Sequence, residues 1–386
     1  MMKLKIDPNF GPGLLGLTAV LLAFWQIAPC QATEKDQPEL KIESKSYVFT
    51  YPHTDPFDVT NRYGFNHGPS VIALPDGRLL CSWFSAPYEG SIHLVLLGSF
   101  SEDQGRSWQR TFVLQDNPRW SDYDPAFVQD GKRTFFFYKY GRWNRYPFIE
   151  NEEVTVGTKS FHVFMRYSDD SGRTWSDERK VHETAGCRSN GIKLSSGELL
   201  LPVYDWITTD LGGVLKSIDG GKTWVRKEVV DENGVDEPTV AELKNGDILM
   251  AVRTGDSHLW TFRSTNKGDT WEKPIKHDIL AGNASHNLFR MSNGRVILTH
   301  DECKPPTRSL LTMRTTEDGK TWSEPLDLAR SLTPREGNDY WFCQVTYPSV
   351  CEVPGKVLVI VWAYGNISDT EHVGEIHSAR VRILDK

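Results

Sequence analysis

Ser168-Asp169-Asp170-Ser171-Gly172-Arg173-Thr174-Trp175 is one of five copies of the pattern Ser-x-Asp-x-Gly-x-Thr-Trp in this 386-residue chain. The others run over 101–108, 217–224, 264–271 and 315–322, the last two with Asn266 and Glu317 where the second copy has Asp170. Each residue type has a physical reason to stand there. A short acidic side chain caps the amides of a tight turn, glycine accepts a positive φ, and the closing tryptophan is expected to be buried against neighbouring strands. The copies read as hairpin staples, not as a reaction centre.

Successive copies start 67, 49, 47 and 51 residues apart, the length that one four-stranded propeller blade needs. A second repeat counts the blades. A short strand and a turn recur at 69–77, 125–131, 190–197, 238–246, 287–294 and 348–355, each leading into an apolar run such as Leu199-Leu200-Leu201 or Val357-Leu358-Val359. Six turns and five boxes agree if the last blade has no box and is closed by the other end of the chain. Residues 45–50 are the strand expected to complete a sheet begun by 376–384. The expected fold is therefore all-β: one ring, a six-bladed β-propeller of four-stranded antiparallel sheets, over residues 33–386.

Residues 1–32 read as a secretory signal peptide. Lys3 and Lys5 precede an apolar stretch over 14–28, and Cys30-Gln31-Ala32 supplies a small-residue end; lipidation of Cys30 is the weaker alternative after Pro29. A secreted or periplasmic protein with no membrane span after cleavage is expected. Five cysteines then remain, Cys81, Cys187, Cys303, Cys343 and Cys351, an odd number without metal-knuckle spacing, and most are expected in buried strands. A net charge of −7 leaves no basic footprint for nucleic acid. Zinc-helix, phosphate-loop and serine-elbow motifs are absent from the sequence, so neither a metal nor a cofactor is expected.

Equivalent positions of propeller blades face the mouth of one central funnel. The residues just before each inner strand thus form a ring: His67-Gly68, Tyr123-Asp124, Arg188-Ser189, Asp236-Glu237, Ser285-His286 and Thr346-Tyr347. Polar or ionisable residues in every blade suit a binding site or a water-filled channel. Residues 139–160, with Trp143, Tyr146 and Phe148, are too long for a blade connection and are expected to form a rim over the funnel.

Over residues 45–386 the chain resembles the exo-sialidases and their box-repeat superfamily. Asp236-Glu237-Pro238 followed by Arg253 is similar to the glutamate and arginine of those enzymes, Arg308 ahead of the last box to a second arginine, and Thr346-Tyr347-Pro348 to their tyrosine nucleophile. The resemblance implies a glycoside hydrolase acting on a glycan that ends in an acidic sugar. Tyr347 would be the nucleophile, Glu237 its activator, and Arg253 and Arg308 the clamp on the substrate carboxylate. The chain departs from the family where His67-Gly68-Pro69 replaces an expected Arg-Ile-Pro. Arg188, at the same offset on another blade, is a candidate to reach the anion, with His67, Asp124 and His286 as further contacts from the ring. No aspartate stands where the proton donor is expected; Tyr88-Glu89-Gly90-Ser91 occupies that stretch and leaves Glu89 as the candidate. Two other functions fit the same ring: a lyase acting on a uronic acid, in which Tyr347 and a histidine move protons, and a glycan-binding propeller without catalysis.

Overall fold

The computed structural model describes residues 39–51, 64–87, 94–118, 120–141, 161–205, 211–229, 234–304, 307–331, 344–368 and 371–384. The expected signal peptide, Glu89, Cys343 and the expected rim beyond Gly141 lie outside the described residues.

Six antiparallel sheets follow one another around a ring. From the centre outwards, blade 1 comprises Phe65–Ala73, Leu79–Ala86, Val95–Ser101 and Phe112–Gln115, and blade 2 comprises Ser121–Asp130, Arg133–Gly141, Phe161–Ser168 and Arg179–His182. Blade 3 has its inner strand in two pieces, Gly186–Cys187 and Ile192–Lys193, both paired with Leu199–Asp205, followed by Leu211–Ser217 and Val225–Val229. Asp236–Glu242, Ile248–Arg253, His258–Ser264 and Ile275–Leu280 make blade 4, and Asn287–Arg290, Val296–Asp301, Leu310–Thr316 and Leu326–Arg330 make blade 5. Blade 6 runs Gln344–Val353, Val357–Ser368 and Glu371–Ile383, and is completed by Leu40–Phe49 from the other end of the chain. Strand Leu40–Phe49 pairs from Leu40 opposite Ile383 to Phe49 opposite Ile376, so the ring closes as the 45–50 segment led one to expect. Closure gives blade 6 its fourth and outermost strand.

The boxes lie at the turns between third and fourth strands. In the first four, serine Oγ accepts from the glycine amide (Ser101 from Gly105 at 2.8 Å, Ser217 from Gly221 at 2.9 Å), and the aspartate or asparagine oxygen accepts from an amide four residues on (Asp170 from Thr174, Asn266 from Thr270, both 2.9 Å). The residue before the glycine is left-handed in each: Gln104, Ser171, Gly220 and Lys267 have φ between 59° and 70°. The fifth box differs from its sequence reading. Thr316, not Thr315, pairs with Val296 at the position that Ser264 holds opposite Ile248. Asp318, not Glu317, then takes the amides of Lys320 and Thr321 at 2.8 Å. The strained residue before the glycine has been deleted, and Gly319 donates to Thr316 Oγ1 at 2.8 Å.

Each box also presses on the preceding blade. A Cβ on Gly221, in blade 3, would lie 2.4 Å from Cζ of Phe135 in blade 2. Trp224 meets Phe137 edge-on, with centroids 5.2 Å apart at 86°. The box tryptophans are half-buried at these seams, not buried as expected, because the box sits at the outer end of its hairpin. Trp224→Ala should therefore cost about 2–3 kcal/mol, below the range for a fully buried tryptophan. A lowered denaturation midpoint with unchanged activity per folded molecule is the expected result; an unchanged midpoint would show that the boxes do not join the blades.

Candidate active site

Four inner strands carry the same distortion at the ring position. In blades 1, 2, 4 and 6 the residue before a proline is left-handed: Gly68 (φ 60°), Asp124 (51°), Glu237 (39°) and Tyr347 (56°). Each lies in a bulge where the pairing slips by one residue, as between Asp236 opposite Arg253 and Thr239 opposite Ala251. A left-handed non-glycine residue costs on the order of 1–3 kcal/mol, and a following proline disfavours it further, so the surrounding ladder must hold it. The bulge re-aims the side chain out of the strand's alternation. The ring residues of blades 3 and 5 precede Asn190 and Asn287 instead of proline, and keep ordinary φ.

Glu237 and Tyr347, from bulges on two blades, meet. Tyr347 Oη donates to Glu237 Oε1 at 3.2 Å, while Arg253 Nη1 donates to Glu237 Oε2 at 2.9 Å and to Tyr347 Oη at 3.0 Å. Glu237 and Tyr347 are each 7 % exposed. Burial alone would push the Glu237 carboxyl up, but Arg253, Arg188 and Arg308 together outweigh it and hold it below the ordinary range. Glu237 is thus an ionised acceptor for the phenolic proton.

Arg308 brings its guanidinium 5.4 Å from the centre of the Tyr347 ring, donating to Gln344 Oε1 at 3.2 Å and to the Asn283 carbonyl at 2.7 Å. Arg253 Nε donates to Asn283 Oδ1 at 2.6 Å, so one asparagine grips both arginines. Arg188 also comes to Tyr347 but lies beneath it, 2 % exposed, its guanidinium 4.9 Å from the ring centre and Nη2 at 3.4 and 3.5 Å from the Pro69 and Tyr347 carbonyls. His67 packs edge-on against Tyr347 at 4.4 Å and stacks on Phe65 at 5.5 Å. Burial, then the charges of Arg308 and Arg188, push its imidazole well below the usual value despite a hydrogen bond to Gln344. His67 is neutral at neutral pH; it offers the place of the missing arginine a hydrogen bond and no charge.

Asp124 forms a copy of this arrangement. Lys139 stands opposite Tyr123 in blade 2 as Arg253 stands opposite Asp236 in blade 4. Lys139 Nζ lies 2.6 Å from Asp124 Oδ2 and donates to Tyr204 Oη at 2.8 Å, and Tyr204 Oη donates to Asp124 Oδ2 at 3.1 Å. Carboxylate, cation and phenol again form a triangle, here with both donors on one carboxylate oxygen, and Lys139 is enclosed by the rings of Tyr123, Phe161 and Tyr204. The Asp124 carboxylate is thereby already engaged. Beside Glu237, Asp236 has its carboxyl pushed up by burial and by the Glu237 charge.

His286 is 1 % exposed and packed against His300 at 5.9 Å, and burial lowers it to about 3, so it is neutral at neutral pH. Asp301, fully buried nearby, accepts from Thr346 Oγ1 at 2.8 Å, and burial raises it to about 7. Between about pH 4, where the unfolded carboxyl titrates, and pH 7, the folded chain keeps a proton that the unfolded chain has lost. This group's contribution to stability therefore falls as pH rises through that window. Asp301→Asn should melt higher than the wild type at pH 8, with the gap closing towards pH 4. A gap independent of pH would contradict the assignment.

The sequence analysis missed Lys139, Tyr204, Gln344, Asn283 and Asp301. Lys139 was within reach of the repeat register; Asn283 lies between blades, where no repeat marks it.

The chain matches the BNR repeat-like domain family over residues 77–359. It belongs to that family, within the sialidase superfamily. This BNR-repeat propeller is 25% identical to a sialidase of Paraclostridium sordellii over 246 residues, 56% of this chain and 60% of the relative. A Clostridium perfringens sialidase is 25% identical over 250 residues, 56% of this chain and 63% of the relative. The propeller thus spans about three fifths of the length of these relatives. Among solved structures, a Dyadobacter fermentans protein of unknown function superposes with a TM-score of 0.72 at 17% identity, covering 90% of this chain and 100% of that one. The NanB sialidase of Streptococcus pneumoniae gives 0.69 at 16%, covering 88% and 71%. At such identities the likeness speaks for the fold.

Proposed function

We propose that the chain is an exo-acting glycoside hydrolase of the sialidase type, removing a terminal anionic sugar of the sialic acid class from glycans. The observation that carries this reading is Tyr347 Oη held between the Glu237 carboxylate at 3.2 Å and Arg253 Nη1 at 3.0 Å. Tyr347 attacks the anomeric carbon as its proton passes to Glu237, and the bond from that carbon to the leaving oxygen breaks. The leaving oxygen takes a proton from a carboxylic acid, for which Glu89 is the candidate. Water, deprotonated by the same group, then releases the sugar from the tyrosine. A phenol is neutral until it attacks, so the substrate's own carboxylate does not repel it. Arg253 and Arg308 hold that carboxylate, and the sequence kinship with sialidases supports the assignment. With His67 neutral in place of a third arginine, the hold is weaker by roughly the 1.5–3 kcal/mol of one charge-assisted contact. Export to the periplasm or medium rests on residues 1–32, whose lysines and apolar run support it.

A second reading is favoured by the neutral imidazole of His67 lying 4.4 Å from Tyr347, an arrangement suited to taking a proton alpha to a uronic acid carboxylate. Incubation with sialyllactose and with a uronic-acid oligosaccharide, followed by NMR of the products, separates the two. Free sialic acid is the expected result. An unsaturated uronic sugar would replace the hydrolase by a lyase, and binding without any product would leave a glycan-binding propeller.

A further inference from the structure

Asn283 lies in the turn between blades 4 and 5, where Gly282 donates to the Asp301 carbonyl at 2.7 Å and Ala284 closes back on Gly282 at 2.8 Å. There is no room for a side chain beside it: a Cβ on Gly282 would stand 2.9 Å from that of Asp301. The turn fixes Asn283 between the two arginines. Its carbonyl oxygen accepts from Arg308 Nη2 at 2.7 Å, and its side-chain oxygen from Arg253 Nε at 2.6 Å. A guanidinium nitrogen can only donate, so the atom facing Arg253 must be the amide oxygen. The NH₂ group therefore faces away from Arg253. It has no hydrogen-bond partner among the described residues, yet it is not a buried orphan, and Asn283 is half-buried in contrast to the enclosed residues on either side. A two-proton donor thus opens towards solvent beside both guanidinium groups.

We propose that the Asn283 amide is the third donor to the substrate's anionic group, a neutral hydrogen bond that completes the grip of Arg253 and Arg308. This rests on the reading that those arginines bind an acidic sugar. A neutral donor suits a site already crowded with Arg188, Arg253 and Arg308, where a further cation would meet charge repulsion. It also discriminates: a planar carboxylate can take Nδ2 and a guanidinium on its two oxygens, whereas an alcohol at the same carbon presents one oxygen and no charge.

The test is calorimetric binding of 2,3-dehydro-2-deoxy-N-acetylneuraminic acid, and of its analogue with the carboxylate reduced to an alcohol, to the full chain and to Asn283→Ala and Asn283→Asp, with melting curves to establish folding. Asn283→Asp keeps the acceptor that Arg253 uses but puts a negative charge in the donor's place, whereas Asn283→Ala removes donor and acceptor without adding charge, so a loss shared by both variants reports the donor. Both variants should bind the acid roughly 10- to 100-fold more weakly while changing the weaker binding of the alcohol little. A complex with the acid should show Nδ2 within hydrogen-bond distance of a carboxylate oxygen. Wild-type affinity for the acid in both folded variants, or a complex with Nδ2 turned away, overturns the role of Asn283 alone. Failure of the wild type to bind either compound overturns the acidic-sugar reading and this inference with it.

Discussion

Tyr347→Phe should remove turnover, by on the order of 10³-fold or more, while affinity for an acidic sugar stays near the wild-type value. The phenylalanine keeps the ring that packs against His67 and beneath which Arg188 lies, so only the oxygen is lost. Glu237 retains Arg253 as a partner at 2.9 Å, so the carboxylate is not left buried and unpaired. Glu237→Gln should approach the same loss because the phenolic proton then has no anionic acceptor. Single-turnover kinetics with isothermal binding on the same preparations checks both. Turnover surviving in Tyr347→Phe would remove the nucleophile from the mechanism; binding lost together with turnover would show that the phenol holds the ligand.

The ring was legible because its repeats are local. A box needs only eight residues to make its turn, and the strand–turn repeat preceding each second strand counts blades independently, so both survive divergence elsewhere. The fifth box misled because Thr315 and Thr316 are both hydroxyl residues, and only the pairing of Thr316 with Val296 reveals that one residue has gone. Repeat register also placed Glu237 and Tyr347 on one ring, since equivalent bulges aim their side chains at one axis, and the resemblance added Arg253 to them. Depth was not legible. His286 holds the ring position of Glu237 without its proline-backed bulge, and Arg188 holds that of Asp236; both side chains are buried behind or beneath the site. Asn283 and Gln344 were invisible for another reason: their roles depend on which arginine end approaches them, and that is decided across blades.

Arg188→Met should separate stability from activity in opposite directions. Arg188 is 2 % exposed, makes no ion pair among the described residues, reaches its two carbonyls only at 3.4 and 3.5 Å, and leaves Nε without a partner. A buried guanidinium so poorly satisfied, with two other arginines around the same tyrosine, is a cost to the fold, and replacing such a charge by an apolar chain of similar length often stabilises by roughly 1–4 kcal/mol. Its presence is explained by what it does to its neighbours. Arg188 is among the charges that hold the Glu237 carboxyl down, and its cation under the ring favours negative charge developing on the Tyr347 oxygen. The methionine variant should therefore melt higher than the wild type and turn over roughly 10- to 100-fold more slowly, with KM nearly unchanged because Arg188 lies beneath the ring and not on its open side. Without that charge the Glu237 carboxyl titrates higher, so the acidic limb of the kcat profile should move to higher pH. Calorimetry with a pH–rate profile decides it: a lower melting temperature with kcat and its acidic limb unmoved would make Arg188 a structural brace and return the activation of Tyr347 to Glu237 and Arg253 alone.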